Sequence, residues 1–245
     1  MQTRIITYPA DLSSKTLSEI IRLFADHKWI VPEKYGNLST TYPLPSKFNE
    51  DALKEVYVFY KDNPSLLIYG KGQRYLDFYR AEKGFPFSGA IDHYKDTTGH
   101  ADFESADYDE AIVQVMQLSN ALYGESQDRA ARAHYLYRYE QHGGGRRRVL
   151  TVKGLAGLTN PAWKMWFSER YIQAIGREKL LSAPARAIRD FGKIIFVNVF
   201  KNPTEWNSVD ALKAVDDFKT HVGYDFFYDQ EEPGKQLRMP DFSDL

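Results

Sequence analysis

The sequence contains no cysteine, so disulfide bonds, thiol catalysis and cysteine-ligated zinc are all excluded. It has no run approaching the ~20 apolar residues that a membrane-spanning helix needs. Its first residues lack the apolar core of a secretory signal, because Pro9 and Asp11 interrupt them. We therefore expect a cytoplasmic protein that does not associate with a membrane.

The chain also lacks an excess of either charge, because its net charge is −1. Dedicated nucleic-acid-binding proteins carry a strong basic excess, so that class is disfavoured. The composition, 43% hydrophobic and 27% charged, is typical of a folded globular protein and not of a disordered chain. The 17 tyrosines favour a tyrosine-rich core, with some rings at an interface.

Recognisable catalytic motifs are missing as well. The sequence has no phosphate-loop or dinucleotide-binding glycine spacing, no GxSxG elbow and no HExxH. Two glycine-rich stretches, 70–72 and 143–145, precede basic residues, but each connects segments with strand patterns and is predicted to be a hairpin turn. We predict a protein that is not an enzyme and that uses no cofactor.

One segment contains residue types that bind metals or catalyse hydrolysis. His100, Asp102 and Glu104 alternate, and Asp92 and His93 lie shortly before them. The segment also precedes a predicted helix, whose first turn favours acidic residues through the helix dipole, and we therefore predict no metal site. A hydrolase that uses these groups is the less favoured alternative, and it requires them to converge on one cavity.

The order of the predicted elements favours an α+β fold with largely antiparallel sheets and helices packed on one face. Because no linker stands out, we predict a single domain, 1–245, with two lobes at 1–100 and 105–245. The proline-rich region 29–47 is predicted to be a loop. The predicted helices are 16–27, a helix capped by Asn49, 106–122, 163–175 and 208–221. In the last of these helices, Leu212, Val215 and Phe218 are predicted to point inward. The predicted strands are 3–8, 66–70, 74–82, 89–95, 134–141, 147–153, 187–191 and 193–200.

The near-neutral total conceals strong local charge. Residues 91–130 carry a net charge of −7, residues 131–153 carry +5, and residues 223–245 carry −4. An acidic surface can steer a basic partner and speed its association. We therefore predict that the partner-binding residues lie in the acidic segment 102–110 and, second, in the acidic tail: Asp102, Glu104, Asp107, Asp109, Glu110, Asp225, Asp229, Glu231 and Glu232.

The most distinctive segment is residues 154–191, GLAGLTNPAWKMWFSERYIQAIGREKLLSAPARAIRDF. The chain resembles bacterial immunity proteins of the Imm-fifty-two type in three features of its sequence. These are the aromatic-rich beginning of this segment, the stretches FxxRYI and GREKLLSAP within it, and the closing sequence GYDFFYDQEEPGKQLRMPDF. The resemblance covers the chain from residue 154 onward, and the earlier part is similar only in its general layout.

Such immunity proteins are encoded beside toxins of polymorphic and type VI secretion systems. The resemblance implies that the chain binds and neutralises a cognate toxin, and that the toxin is a restriction-endonuclease-like nuclease. It implies no catalytic residue. The matching residues have structural roles: Gly176 ends a helix, Arg177 pairs with Glu178, and Leu180 and Leu181 pack inward. A cytosolic adaptor or structural module with another partner is the alternative.

Overall fold

The chain divides into two compact units, Met1–Gly124 and Glu125–Leu245. The prediction of one domain stays a prediction. The computed structural model describes residues 1–7, 12–45, 49–72, 74–80, 89–95, 101–142, 145–150, 158–228, 232 and 235–242. For Ala101, 136–142 and 145–150 it describes the backbone alone. The predicted residues His100, Asp229 and Glu231 lie outside the described residues.

The first unit alternates strands and helices. Its helices begin where local capping predicts, because the side chains of Ser13, Asn49 and Ser105 each accept a hydrogen bond from a first-turn backbone N–H. The elements are β1 Gln2–Thr7, α1 Ser14–Asp26, β2 Pro32–Gly36, β3 Thr41–Pro43, α2 Glu50–Asp62, β4 Ser65–Gly70, β5 Arg74–Arg80, β6 Gly89–Lys95, α3 Ala101–Glu104, α4 Ala106–Leu118 and β7 Ala121–Gln127, which runs across the unit boundary.

Six of these strands pair in the order β1-β6-β5-β4-β2-β3, and each of these five pairs is antiparallel. Along β1 buried and half-buried residues alternate, as expected for a strand with two different faces. One face carries His93, which contacts Phe24 of α1 and Tyr108 of α4. The helices therefore pack on this face.

The second unit contains a three-stranded antiparallel sheet and a separate hairpin. The sheet order is β11-β12-β10, and β8 pairs with β9. The elements are α5 Arg129–Leu136, β8 Tyr137–His142, β9 Gly145–Leu150, β10 Lys164–Ser168, α6 Glu169–Ile175, α7 Arg177–Leu181, β11 Ala187–Asp190, β12 Ile194–Asn198 and α8 Val209–Val222, with short 3-10 helices at Pro203–Glu205 and Tyr224–Phe226.

The architecture confirms the predicted α+β class and the largely antiparallel pairing. In the resembling segment, Gly176 ends α6, as predicted, with a left-handed φ of 105° and its N–H bonded to the carbonyl of Ile172. Arg177 bonds Asp190 and not the neighbouring Glu178. Leu180 is buried, whereas Leu181 is half-buried.

Several predicted elements were wrong. The region 29–47 contains β2 and β3, whose strand geometry depends on pairing with the distant β4. The predicted helix 106–122 ends at Leu118 and is followed by β7, and the predicted helix 163–175 begins as β10. Periodicity over such short segments does not separate a buried strand from the helix that adjoins it in the chain. Leu212 is 45% exposed, whereas Val215 and Phe218 point inward.

None of the helices in the described ranges is long and apolar enough to cross a membrane.

Candidate functional site

The predicted acidic segment folds as α3 and the beginning of α4. Three of its carboxylates are exposed: Glu104, Asp107 and Glu110, called here the acidic triplet. Asp107 and Glu110 are three residues apart on α4 and therefore lie on the same side of the helix. Asp107 also lies in the first turn of α4, where the helix dipole favours negative charge. The triplet is a compact negative surface on the first unit.

Asp109 does not belong to this surface, because it is only 4% exposed. The helix α4 is buried around most of its circumference, with Tyr108, Ala111, Ile112 and Val115 also inside. The charge pattern of the sequence cannot reveal this burial, since it depends on what packs against both sides of the helix.

Asp102 connects α3 to the sheet. Its carboxylate accepts a hydrogen bond from Lys95 Nζ at 2.7 Å, and Arg74 Nη1 lies 3.6 Å away. The next residue, Phe103, is fully buried and stacks on His93. Asp102 therefore has a positioning role, with its charge compensated by the two bases.

The tail acids are also compensated where they are described. Asp225 forms an ion pair with Arg238 at 3.0 Å, and the backbone N–H of Arg238 donates to the Asp225 carbonyl at 2.7 Å. Glu232 lies 3.3 Å from Lys235. Both described tail acids of the predicted surface are thus paired with a base, whereas Glu104 and Asp107 form no ion pair with a described residue.

Among the described residues, the groups required by the hydrolase alternative do not converge, and His100 lies outside those residues. Asp92 and His93 are neighbours on β6, so their side chains point to opposite faces of the sheet. His93 lies among Phe24, Phe103 and Tyr108, with Nδ1 2.9 Å from the Tyr108 hydroxyl. Burial, and secondly the charge of Arg74, lowers the pKa of His93 to about 3, so the ring stays neutral in the core.

A polar cluster on the other face of the sheet has no signal in the sequence. Register places Arg4 opposite Asp92, and Asp92 opposite Asp77, across β1, β6 and β5. Arg4 holds Asp92 through two hydrogen bonds of 3.0 Å, from Nε and Nη2. The pKa of Asp77 is raised to about 7. Burial and the nearby charge of Asp92 raise this pKa, and the charge of Arg4 lowers it by a smaller amount.

A serine–histidine pair in the second unit is arranged unsuitably for nucleophilic catalysis. His221 Nε2 lies 3.3 Å from Ser182 Oγ and 2.8 Å from the Lys179 carbonyl oxygen. A carbonyl only accepts, so Nε2 carries the hydrogen and has no lone pair to take a proton from the serine. Ser182 instead donates to the Glu178 carbonyl at 2.7 Å.

The remaining sequence signals have structural explanations. The first glycine-rich stretch is the turn between β4 and β5, beside an open cleft of about 330 Å³ lined by Val31, Lys71, Gly72 and Arg74. Of the second stretch, Gly145 begins β9, and residues 143 and 144 lie outside the described residues. Over the residues whose positions are described, no group of three or more His, Asp or Glu side chains is arranged to hold a metal ion.

No protein-family model matches the sequence, and no curated protein matches it. Among solved structures, a T6SS protein of Pseudomonas aeruginosa is similar, with a TM-score of 0.55 and 10% sequence identity. The similarity covers 99% of this chain and 78% of that chain. At this identity it shows a common fold, and the resemblance to the Imm-fifty-two type stays a prediction.

Proposed function

We propose that this protein is a cytoplasmic immunity protein that binds and neutralises a toxin delivered by a type VI secretion system. It acts by tight binding and not by catalysis. The proposed toxin is a nuclease of the restriction-endonuclease-like kind. The observation that carries the proposal is the acidic triplet, in which Glu104 and Asp107 are exposed and form no ion pair with any other described residue.

The acidic triplet suits a nuclease partner for an electrostatic reason. A nuclease active site receives phosphates, so basic side chains or metal ions line it. A fixed group of carboxylates can occupy the same space and compete with nucleic acid. Because α4 is anchored by a buried face and capped by Ser105, its exposed carboxylates are held in place before binding.

Two further observations support the proposal. The chain is similar in fold to a T6SS protein of Pseudomonas aeruginosa, which supports the proposal of a role in a type VI secretion system. The segment 154–191 resembles immunity proteins, and its residues Gly176 and Leu180 have structural positions, as expected if the family binds and does not catalyse.

Co-expression with the product of the neighbouring gene tests this function. The expected result is a complex that co-purifies, together with rescue of cells from that product's toxicity. A complex without rescue would support an adaptor role, and a neighbouring product that is neither toxic nor bound would reject immunity.

Charge reversal tests the surface. Replacing Glu104, Asp107 and Glu110 by lysine should weaken toxin binding by at least about tenfold at low salt, with a smaller effect at high salt because salt screens the interaction. The matched control replaces three exposed acids elsewhere by lysine: Asp26, Asp62 and Glu205. Equal affinities for both variants would mean that the partner binds another surface, whereas the rescue experiment would still decide the function.

A further inference from the structure

The sheet of the first unit has a second face, opposite the one on which the helices pack. Residues two apart on a strand point to the same face, so Tyr75, Asp77 and Tyr79 of β5 lie together on this second face. Tyr79 is 44% exposed, whereas Tyr75 and Asp77 are half-buried. Register places Ser65 and Ala90 on either side of Tyr79, and both are small side chains that leave its ring open.

The carboxylate of Asp77 lacks a partner. It forms no hydrogen bond and no ion pair with any described residue, and of its two oxygens only Oδ1 is buried. The carboxylate of the neighbouring Asp92 is held by Arg4 through two hydrogen bonds of 3.0 Å, so this face already carries one guanidinium group bound to a carboxylate. Asp77, one strand further along, has no such base. An unpaired, half-buried carboxylate lowers stability, a cost that is typical of binding sites.

The rings beside Asp77 favour the same kind of ligand. Tyr75 stacks on Tyr94 with ring centroids 4.7 Å apart and planes at 26°, which fixes one side of the site. Tyr79 lies two residues from Asp77 on the same face, at a Cα distance of about 7 Å. A guanidinium group stacks on a tyrosine ring and donates two hydrogen bonds to a carboxylate, whereas an ammonium group lacks this planar geometry. A tyrosine and an unpaired carboxylate at this spacing therefore fit an arginine side chain.

We propose that Asp77 and Tyr79 bind an arginine side chain of a partner protein. The guanidinium group donates to the Asp77 carboxylate through its open oxygen, Oδ2, and the arginine stem lies along the ring of Tyr79. The partner is a protein because the site lies on the surface of a sheet, where tyrosines are typical of protein interfaces.

This site is separate from the acidic triplet and goes beyond the proposed function. The helices α3 and α4, which carry the triplet, pack on the face of His93 through Phe103 and Tyr108, whereas Asp77 lies on the other face. Loss of the arginine site would therefore leave the immunity proposal intact, and the rescue experiment decides that function by itself.

A short peptide with a single arginine, acetyl-Gly-Arg-Gly-amide, probes the site in the full chain. NMR of ring-labelled tyrosines at pH 8 should show saturable shifts of the Tyr75 and Tyr79 signals, with a dissociation constant of about 1 mM. A matched peptide with citrulline in place of arginine keeps the shape and removes the charge, and it should bind at least about tenfold more weakly. Equal affinity for the two peptides, or no saturable shift at these tyrosines, would overturn the proposal.

Three variants, followed at the Tyr75 signal, locate the binding. Asp77→Asn keeps the shape of the side chain and should weaken binding of the arginine peptide by at least about tenfold, whereas Asp62→Asn, at an exposed aspartate of the same unit, should leave it unchanged. Tyr79→Ala should also weaken binding, and Tyr79→Phe, which keeps an aromatic ring, should retain most of it. Equal binding by the natural protein and Asp77→Asn would refute the site.

The pH dependence of binding separates a ligand at Asp77 from a merely structural role. The groups that face Asp77 are Asp92 on β6, Arg4 on β1 and Tyr69 on β4. Burial and the Asp92 charge raise the pKa of Asp77 to about 7, and the guanidinium group needs the ionised carboxylate. Affinity for the arginine peptide should therefore rise about tenfold from pH 6 to pH 8. A flat profile, or the same rise in Asp77→Asn, would contradict binding at this carboxylate.

Discussion

Asp77 should make this protein less stable as the pH rises through the neutral range. The residue lies on β5 opposite Asp92, and its Oδ1 is buried without a hydrogen-bond partner among the described residues. Burial is the main cause that raises the pKa of Asp77 to about 7, and the Asp92 charge adds to it. Near pH 7, this carboxyl group is therefore about half protonated in the folded protein.

The sign of the effect follows from linkage. In the unfolded chain Asp77 titrates near its ordinary pKa of 3.8, whereas in the folded protein it holds its proton up to about pH 7. Between these values the folded state binds more protons, so the free energy of unfolding falls as the pH rises. A difference of about 3 pKa units corresponds to about 4 kcal/mol as an upper bound. Partial exposure of the side chain reduces the expected loss to about 1–3 kcal/mol.

Asp77→Asn removes the titrating group while keeping its shape. We expect the variant to gain about 1–3 kcal/mol over the natural protein at pH 8, with the difference shrinking steadily towards pH 5. Urea unfolding at a series of pH values measures this difference. Asp62→Asn is the matched control, because Asp62 is an exposed aspartate at the end of α2.

Comparing the two variants at each pH cancels the titration of the groups that do not interact with Asp77 or Asp62. A stability difference for Asp77→Asn that stays constant from pH 5 to 8 would refute the reasoning, since it would mean that Asp77 does not titrate in this range. A difference that grows equally in Asp62→Asn would show that the pH dependence is not specific to the cluster.

Two further substitutions test the packing of the first unit. Tyr108→Phe removes the hydroxyl that donates to Thr3 Oγ1 at 2.8 Å and lies 2.9 Å from His93 Nδ1. The free energy of unfolding, measured with urea, should therefore fall by about 1–3 kcal/mol. In the control variant Tyr57→Phe it should change little. Gly36→Ala would place a Cβ 2.0 Å from the Thr40 carbonyl oxygen and should cost about 3 kcal/mol or more. Gly72→Ala, which meets open space at a φ of 72°, should cost only about 1–2 kcal/mol, and equal losses would contradict the close approach at Gly36.

The features that could be predicted from the sequence are those encoded locally. Ser13, Asn49 and Ser105 identify helix starts because a cap involves only the next few residues. The meander of β4, β5 and β6 was likewise recognisable from its alternating segments and glycines. The segment 163–168 was not recognisable as a strand, because a short buried segment can equally belong to the helix that follows it in the chain.

The burial and the neighbours of the site residues could be predicted only in part, because they depend on contacts between residues that lie far apart in the chain. Glu104 and Asp107 were predicted to be exposed from charge alone, and they are. Asp109 has the same charge but is buried, since the packing around α4 is a tertiary property. The cluster of Arg4, Asp92 and Asp77 arises from the register of three strands, and no local spacing encodes it.

The pairing of β1 with β6 also has a consequence for folding kinetics. Arg4 and Asp92 are 88 positions apart, so the loop that joins them must close before their hydrogen bonds can form. Contacts of such long range slow folding, whereas the β4–β5 hairpin and α1 need only neighbouring residues. We therefore expect β1 to join the sheet late. Until then the edge of β6 that pairs with β1 is exposed, and we expect this exposed strand edge to promote aggregation of the partly folded chain.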